Sequence, residues 1–379
     1  MDSVIKISHV VQGVSNMSAG TTHYVGMLGE ILGKLGGDVQ VNAYSEQPRE
    51  WPFEVSLVNR YLMMERVSLL GSKSVNELRG IGRNYNIVHG HGVWRSANLF
   101  PLILPRNYKA RIVWSPHGMF TDWSWNHHRL VKKPFWKLLQ KHALGKVDCF
   151  HATAVSEYEE IRRRGFAQPV AIIPIGITTP KIECQREKKK YIVFLSRLHK
   201  KKGLEMLFAA WNQLAQKFDG WELKIAGPLD SPYARGIVNK VFDDKLPRVE
   251  FLGEVLGKEK ELLLSNAAVF ILPSYSENFG IAVAEALAHG VPVITTRETP
   301  WEGVEENKCG WWVDATTKSI AEAMQIAMTM PMEQLNAMGI RGSKWMKSEY
   351  SWVSVAQKMM EVYRWLGDSA PRPEYVKLD

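Results

Sequence analysis

Cysteine is scarce in this chain of 379 residues: Cys149, Cys184 and Cys309 stand alone and far apart. That spacing supplies neither a zinc knuckle nor a disulfide framework, and it fits a reducing, cytosolic compartment. Long apolar runs are missing as well. The longest, such as 267–273, is far too short to cross a bilayer. No cleavable leader is expected, because an apolar strand begins at Val4 and a glycine-containing turn soon follows. The first strand is not followed by a Gly-x-Gly-x-x-Gly fingerprint, since Gly13 and Gly20 are badly spaced for one. RRM, KH and zinc-finger signatures are absent, which argues against a nucleic-acid partner.

What is present describes a folded protein. Hydrophobic residues make up 45% and charged ones 23%, which excludes intrinsic disorder, and the length favours two or three domains. The 14 tryptophans are many for this length. Such side chains stack on sugars or anchor at lipid interfaces, but most serve core packing. The formal net charge of +9 points to an anionic partner: a nucleotide diphosphate, a phospholipid, a polyphosphate lipid or nucleic acid.

Strand and helix patterns alternate along the chain. The first half predicts strands at 4–11, 39–44, 86–89, 111–115, 149–154 and 170–173, with helices near 21–35, 131–143 and 157–164. After the charged stretch 181–190 the pattern restarts. Strands are expected at 191–195, 222–226, 249–252 and 267–272, with another starting at 291–294, and helices at 204–217, 234–242, 259–265, 317–328, 332–347 and 351–365. Strands separated by helices imply parallel pairing through right-handed crossovers. Two Rossmann-like α/β domains facing across a cleft are expected, with a linker near 174–190; one large α/β domain is the alternative.

The most informative segment is 273–290. It reads as a polar loop after an apolar strand, then a helix, with Glu277 on the loop and Glu285 eight positions on. Gly280 is expected inside the helix, marking a close backbone approach, and Gly290 at its end. Glu285 sits among Ala282, Val283, Ala284, Ala286 and Leu287, a poor setting for a merely solvated charge. A helix N-terminus at the carboxyl end of a strand suits a phosphate or a sugar.

Other segments lie at strand ends too. Ser196-Arg197-Leu198-His199-Lys200-Lys201-Lys202-Gly203 is either a solvated loop or a phosphate site. Ser18-Ala19-Gly20-Thr21-Thr22 is either a plain turn or a place where Gly20 lets an anion reach unpaired amides. His89-Gly90-His91-Gly92 and Ser115-Pro116-His117-Gly118 are either hydrogen-bonded strand-end histidines or site residues. Zinc would need further ligands that the sequence does not offer. Segment 123–146 carries Arg129, Lys132, Lys133, Lys137, Lys141 and Lys146 without an acid. Lys133, Lys137 and Lys141 repeat at helical spacing, with Phe135, Leu138, Leu139 and His142 on another face. That suits either a peripheral helix on anionic lipid or an ordinary solvated one.

These segments together resemble the family 4 retaining glycosyltransferases, over nearly the whole chain and most specifically from Arg197 to Gly290. The resemblance implies the GT-B architecture: a first domain at 1–180 that binds the acceptor, with 352–379 returning to pack on it, and a second domain at 181–351 that binds a nucleotide sugar. It gives Arg197 and Lys202 the donor diphosphate, Glu285 the ribose hydroxyls, and Glu277 the donor sugar. Asn278, Phe279 and Gly280 present amides to the sugar and diphosphate. Gly227 and Gly253 lie near the base, Gly20 near the diphosphate or acceptor, and His117 faces the sugar hydroxyls. His89 and His91 take a structural or acceptor-side role.

The donor would be UDP- or GDP-linked, the acceptor a glycan or polyprenyl-diphosphate-linked glycan, and the setting O-antigen or capsule assembly. The enzyme would sit in the cytoplasm, peripheral to the inner face of the membrane. There are departures: Ser196 stands for a usual Gly, Thr21 for the second Gly after Gly20, and Ile175 and Thr178 for the Asn and Asp of the interdomain motif. A nucleotide-sugar epimerase of the same fold, and a non-catalytic basic nucleic-acid- or lipid-binding protein, are the rival readings.

No cofactor and no metal are expected. The chain has no Asp-x-Asp pair, the metal–diphosphate signature of the other large glycosyltransferase fold, whereas Arg197 and Lys202 offer fixed cations. Transfer is therefore expected to continue in EDTA. Complete loss, restored by manganese or magnesium, would sink this expectation.

Overall fold

The computed structural model describes residues 4–14, 20–44, 51–59, 80–102, 104, 108–121, 124–125, 129–180 and 188–379. The expected features at Ser18, Ala19, Trp123 and Cys184 lie outside the described residues. The chain divides into two compact units, Met1–Gly176 with Trp352–Asp379, and Ile177–Ser351.

In the first unit, strands β1 (Lys6–Val11), β2 (Asp38–Ala43), β3 (Ser56–Asn59), β4 (Ile87–His91), β5 (Arg111–Ser115), β6 (Cys149–Ala152) and β7 (Val170–Ile172) pair in parallel. Their order is β7-β6-β5-β4-β1-β2-β3, and β14 (Val376–Lys377) adds to β7 antiparallel. The chain runs outward from β1 on one side, then crosses back to β4 on the other. That reversal is the Rossmann switch point.

One face of this sheet carries Ile7, Val11, Ile87, Val113, Cys149 and Ala171. It is covered by the helices Gly20–Lys34 and Trp352–Leu366. Val10, Val88, Ile112, Trp114 and Phe150 form the core on the other face. Burial on both sides is why the strands read as continuous apolar runs rather than alternating ones. The last helix returns to this unit as expected. A Cβ at Gly176 would lie 2.3 Å from the Trp352 ring, so the glycine is what admits that ring.

The second unit repeats the plan with strands β8 (Lys189–Leu195), β9 (Glu222–Ala226), β10 (Val249–Gly253), β11 (Ala267–Leu272), β12 (Val293–Thr296) and β13 (Gly310–Val313). They are parallel, in the order β10-β9-β8-β11-β12-β13, with the switch between β8 and β11. Two Rossmann-like domains are thus present.

Three differences from expectation have physical reasons. Gly280 is not inside the helix: it precedes Ile281–Ala288 as the N-cap, in the left-handed region at φ 79°, which only glycine adopts at little cost. The helix expected at 131–143 is interrupted. It runs Arg129–Phe135, then five residues of π geometry at Trp136–Gln140, then Lys141–Leu144, and Pro134 within it has no N–H to donate. Strands β3, β13 and β14 were not expected; all three are short edge strands, each paired on one side only.

Candidate functional site

At the second switch point three loops meet backbone to backbone. Lys200–Lys202 forms a single 3-10 turn after β8, and Gly203 (φ 68°) turns the chain into the helix Leu204–Leu214. A Cβ at Gly203 would lie 2.0 Å from the Pro273 carbonyl oxygen, beyond β11. Gly227 (φ 156°) lies equally close to the Ser196 carbonyl oxygen, and its N–H donates to Gly253 O at 2.7 Å. Gly253 has open space around it and needs glycine only for its φ of 73°. No side chain but hydrogen fits at 203 and 227.

This contact brings Lys202 and Glu277 together. The Lys202 ammonium donates to Glu277 Oε1, and the buried Ser274 hydroxyl donates to the same oxygen at 2.7 Å. The Glu277 side chain is 10% exposed, so its charge is balanced by one cation and one hydroxyl rather than by water. Arg197 lies on the same loop, exposed and without a hydrogen-bond or ion-pair partner among the described residues. It is a fixed cation with all its donors available.

The loop 277–280 is braced from behind. Trp301, 1% exposed, donates its indole N–H to Phe279 O at 2.5 Å, and Phe279 packs on Trp301 at 5.2 Å between ring centres. Tyr350 stacks on Trp301, and Trp345 meets both edge-on. One carbonyl of the loop is thereby committed inward. Glu285, in the second turn of Ile281–Ala288, is met by Lys260 of the helix Gly257–Asn266 at 2.7 Å. Asn278 is half-buried on the same loop.

The first switch point is lined by histidine. His9 pairs in register with His89, and His91 stands two residues on, so all three project to one face at the carboxyl ends of β1 and β4. His91 pairs with Ser115 on β5. From there two chains of hydrogen bonds run. In one, Tyr363 OH meets His89 Nδ1 at 2.6 Å, His89 Nε2 meets Ser115 Oγ at 2.6 Å, and Ser115 Oγ meets His151 Nδ1 at 2.6 Å. His151 Nε2 then meets the Ile173 carbonyl at 2.8 Å. In the other, His9 Nδ1 meets His91 Nε2 at 2.9 Å, and His91 Nδ1 meets His117 Nε2 at 3.0 Å.

His117 follows β5 at φ 54°, and the next amide, Gly118 N–H, donates to the buried Glu157 at 2.6 Å. Burial pushes His9 and His117 down to about 3 and His151 down to about 4. Burial and the neighbouring imidazoles hold His89 and His91 well below the usual range. All five rings are neutral at pH 7.

Nitrogens of His9, His89 and His91 lie within 4.8 Å of one another, a spacing that suits a metal. Both nitrogens of His89 and both of His91 are already hydrogen-bonded, however, and only His9 Nε2 has no partner among the described residues. Metal binding there would break the network. Gly20 opens the helix Gly20–Lys34, and no atom of the described residues lies within 4 Å of its Cβ position.

The basic segment buries a face that the sequence reading did not single out. Trp136, Gln140, Ala143 and Leu144 are buried, while Leu138 (72% exposed), Leu139, Lys133, Lys137, Lys141 and His142 face outward. Lys132 is turned inward, its ammonium 2.5 Å from Ser124 O and over the Trp94 ring. Trp125 packs on Trp136 and under Arg164.

Ser274, Lys260, His9, His151 and Tyr363 escaped the sequence reading. Each reaches its partner across at least 20 positions, save Ser274, which stood in the quoted loop and could have been taken as a donor to Glu277. For the others no local pattern marks the contact.

Residues 178–345 match the family model for glycosyl transferases group 1, and 19–176 match that for the glycosyl transferase 4-like domain. A GDP-mannose-dependent alpha-(1-6)-phosphatidylinositol monomannoside mannosyltransferase of Mycobacterium tuberculosis is 30% identical over 58% of this chain and 62% of its own length. The alpha-1,3/1,6-mannosyltransferase alg2 of Schizosaccharomyces pombe is 26% identical over 49% of this chain and 42% of its own. The chain thus spans between two fifths and two thirds of these relatives.

Among solved structures, a glycosyltransferase from Rickettsia africae superposes with a TM-score of 0.74 at 14% identity, over 96% of this chain and 99% of that one. Sucrose-phosphate synthase from Thermosynechococcus elongatus does so with 0.69 at 20%, over 97% and 100%. The two units define a protein of the GT-B fold. Within that fold, the chain is related to the family 4 glycosyltransferases.

The buried histidines make stability depend on pH. Each ring has a folded pKa below its ordinary value of 6.5, so the unfolded chain binds more protons below that pH. Stability is then complete above pH 6.5 and is lost as the pH falls towards the folded values. Glu157, pushed up by burial, works in the opposite sense but is one group against five. Between pH 7.5 and 5.5 the fully buried His9 and His151 are expected to cost about 1 kcal/mol or more each. Urea unfolding followed by tryptophan fluorescence checks this; equal midpoints at the two pH values would refute it.

Proposed function

We propose that the protein is a retaining glycosyltransferase that moves a sugar from a UDP- or GDP-sugar to a hydroxyl of a glycan or lipid-linked oligosaccharide. The observation that carries the reading is the gathering of Arg197, Lys202, Glu277 and Glu285 around one switch point, inside the segment that matches glycosyl transferases group 1. Arg197 and Lys202 neutralise the diphosphate as its bond to the sugar breaks, a charge that develops only in the transition state. Glu285 accepts from the ribose hydroxyls. Glu277, with Ser274 and Lys202 fixing its carboxylate, meets the donor sugar, and His117 meets the sugar's hydroxyls. The route we favour is the front-face one, which needs no second carboxylate as nucleophile: the leaving diphosphate oxygen takes the acceptor proton on the same face of the sugar.

Both nucleotides have support: the mycobacterial relative is named as GDP-mannose-dependent, and Anabaena HepE, a structural neighbour, was solved with UDP. A surface-polysaccharide pathway, O-antigen or capsule, is the setting we favour. One structural neighbour is a lipopolysaccharide outer core galactosyltransferase. A nucleotide-sugar epimerase would convert its donor without any acceptor. A purely nucleic-acid- or lipid-binding protein leaves the paired Glu277 and Glu285 without a task.

Among the described residues, no helix is long and apolar enough to cross a membrane. The exposed Leu138 and Leu139 beside Lys133, Lys137 and Lys141 suit reversible docking on the inner face of the cytoplasmic membrane, where a polyprenyl-linked acceptor is held. Each lysine near an anionic surface contributes about 1 kcal/mol.

Replacing Arg197 or Lys202 by Ala is expected to remove about 2–5 kcal/mol of transition-state stabilisation. Turnover near that of the wild type in both variants would reject the assignment. Glu285→Gln is expected to weaken binding of free UDP or GDP in calorimetry, because the ribose hydroxyls prefer a charged acceptor; unchanged affinity removes that role. For the membrane, wild type is expected to pellet with anionic vesicles at low salt, and a Lys133/Lys137/Lys141 triple Glu variant to stay in solution. Equal behaviour of the two would leave this helix an ordinary solvated face.

A further inference from the structure

The two hydrogen-bond chains on the histidine face differ in one respect. The chain through His89 and His151 has its direction imposed. The Ile173 carbonyl can only accept, so His151 carries its proton on Nε2 and its Nδ1 accepts from the Ser115 hydroxyl. Ser115 then accepts from His89 Nε2–H, and His89 Nδ1 accepts from Tyr363 O–H. One backbone carbonyl therefore sets two tautomers and two hydroxyl orientations.

The chain through His9, His91 and His117 contains only imidazoles. The ring planes are tilted by 28° and 16°, and the centroids lie 5.2 and 5.3 Å apart, longer than the N···N distances by two ring radii. The rings therefore meet edge to edge through facing nitrogens. A neutral ring has one N–H and one lone pair, and each N···N contact needs one of each. If His91 is protonated on Nε2, His9 must present its lone pair at Nδ1 and carry its proton on Nε2. His91 Nδ1 must then accept, so His117 is protonated on Nε2 as well. If His91 is protonated on Nδ1, all three rings are. Mixed states break a buried hydrogen bond, which costs about 1–3 kcal/mol.

Neutrality follows from the surroundings. His89 and Tyr24 pack against the three rings, and His151 and Tyr363 pack in turn on Tyr24 and His89. The nearby acid, Glu157, gives its oxygens to Gly118 N–H, Thr153 N–H and the Thr153 hydroxyl. Among the described residues no carboxylate is hydrogen-bonded to any of the three rings.

We infer that His9, His91 and His117 form one tautomeric unit, in which His9 and His91 are positioning residues that tie the His117 proton to their own, so that His117 Nδ1 donates to the donor sugar only when all three rings carry the proton on Nδ1 and accepts only when all three carry it on Nε2. This rests on the reading above that His117 meets that sugar. Nδ1 is the ring nitrogen left for the task, since Nε2 is held by His91. His9 Nε2, with no partner among the described residues, is the far end of the unit.

The test is 15N NMR of the whole protein labelled in its histidine side chains, at pH 7.5. Scalar couplings across the hydrogen bonds are expected between His9 and His91 and between His91 and His117, with one common tautomer for the three rings. Differing tautomers, a charged ring, or missing couplings would overturn the unit. His9→Phe keeps a ring and removes both nitrogens. It is expected to release the pair behind it, averaging the His117 shifts and lowering kcat for sugar transfer about tenfold at unchanged acceptor KM. His117 shifts and kcat identical to wild type would also overturn the proposal. If that variant does not fold, the wild-type couplings decide alone. Uniform tautomers together with full turnover in His117→Ala would leave the unit standing and remove the sugar-binding role of His117.

Discussion

The parallel pairing of β8 with β9 on one side and β11 on the other sets the geometry of the second unit's site. Parallel strands deliver all their carboxyl ends to one edge of the sheet, and the reversal of strand order parts the two loops on either side of it. Here those loops do not merely approach. The backbone at Gly203 lies against Pro273, and that at Gly227 against Ser196, so closely that a methyl group fits at neither. The consequence is electrostatic. A lysine from one loop and a carboxylate from the other are held in contact without being neighbours in sequence, and a serine completes the shell.

The first unit uses the same edge differently. Its sheet face is apolar in its lower half and histidine-lined at the top, where packing against Tyr24 and Tyr363 excludes water. Neutral imidazoles tolerate this because the ring nitrogens between the ends of the two chains each find a partner; among the described residues His9 Nε2 has none. A charged ring would not be tolerated. The arrangement trades stability at low pH for a set of rings whose orientation is over-determined, and His117 stands at its open end. The left-handed backbone at His117 has the same character. A non-glycine residue at φ 54° is held there by the Gly118–Glu157 hydrogen bond and by His91.

Most of the architecture was legible from periodicity and punctuation. Apolar runs bounded by glycine and proline gave the strands that lie in the middle of each sheet, since burial on both faces leaves a strong compositional trace. The short strands β3, β13 and β14 carry a weak trace, because an edge strand of two to four residues owes its existence to the neighbour that pairs it. Gly280 was misplaced by one step for a related reason. Helical periodicity continues through it, and only its positive φ marks it as the cap.

Sequence alone determined the residue types at the strand ends: the cations of 197–202, the glutamates eight positions apart, and the histidine–glycine pairs. These are local, since a loop and the helix after it are continuous in the chain. Tertiary structure decided which of them touch. Lys202 meets Glu277 across 75 positions, Lys260 meets Glu285 across 25, and His89 meets Tyr363 across 274. Contacts of that kind depend on strand order and helix return, which bring together groups whose spacing in sequence carries no period to read. The neutral state of the histidines belongs to the same category, because burial and partners, not residue type, determine where a proton rests.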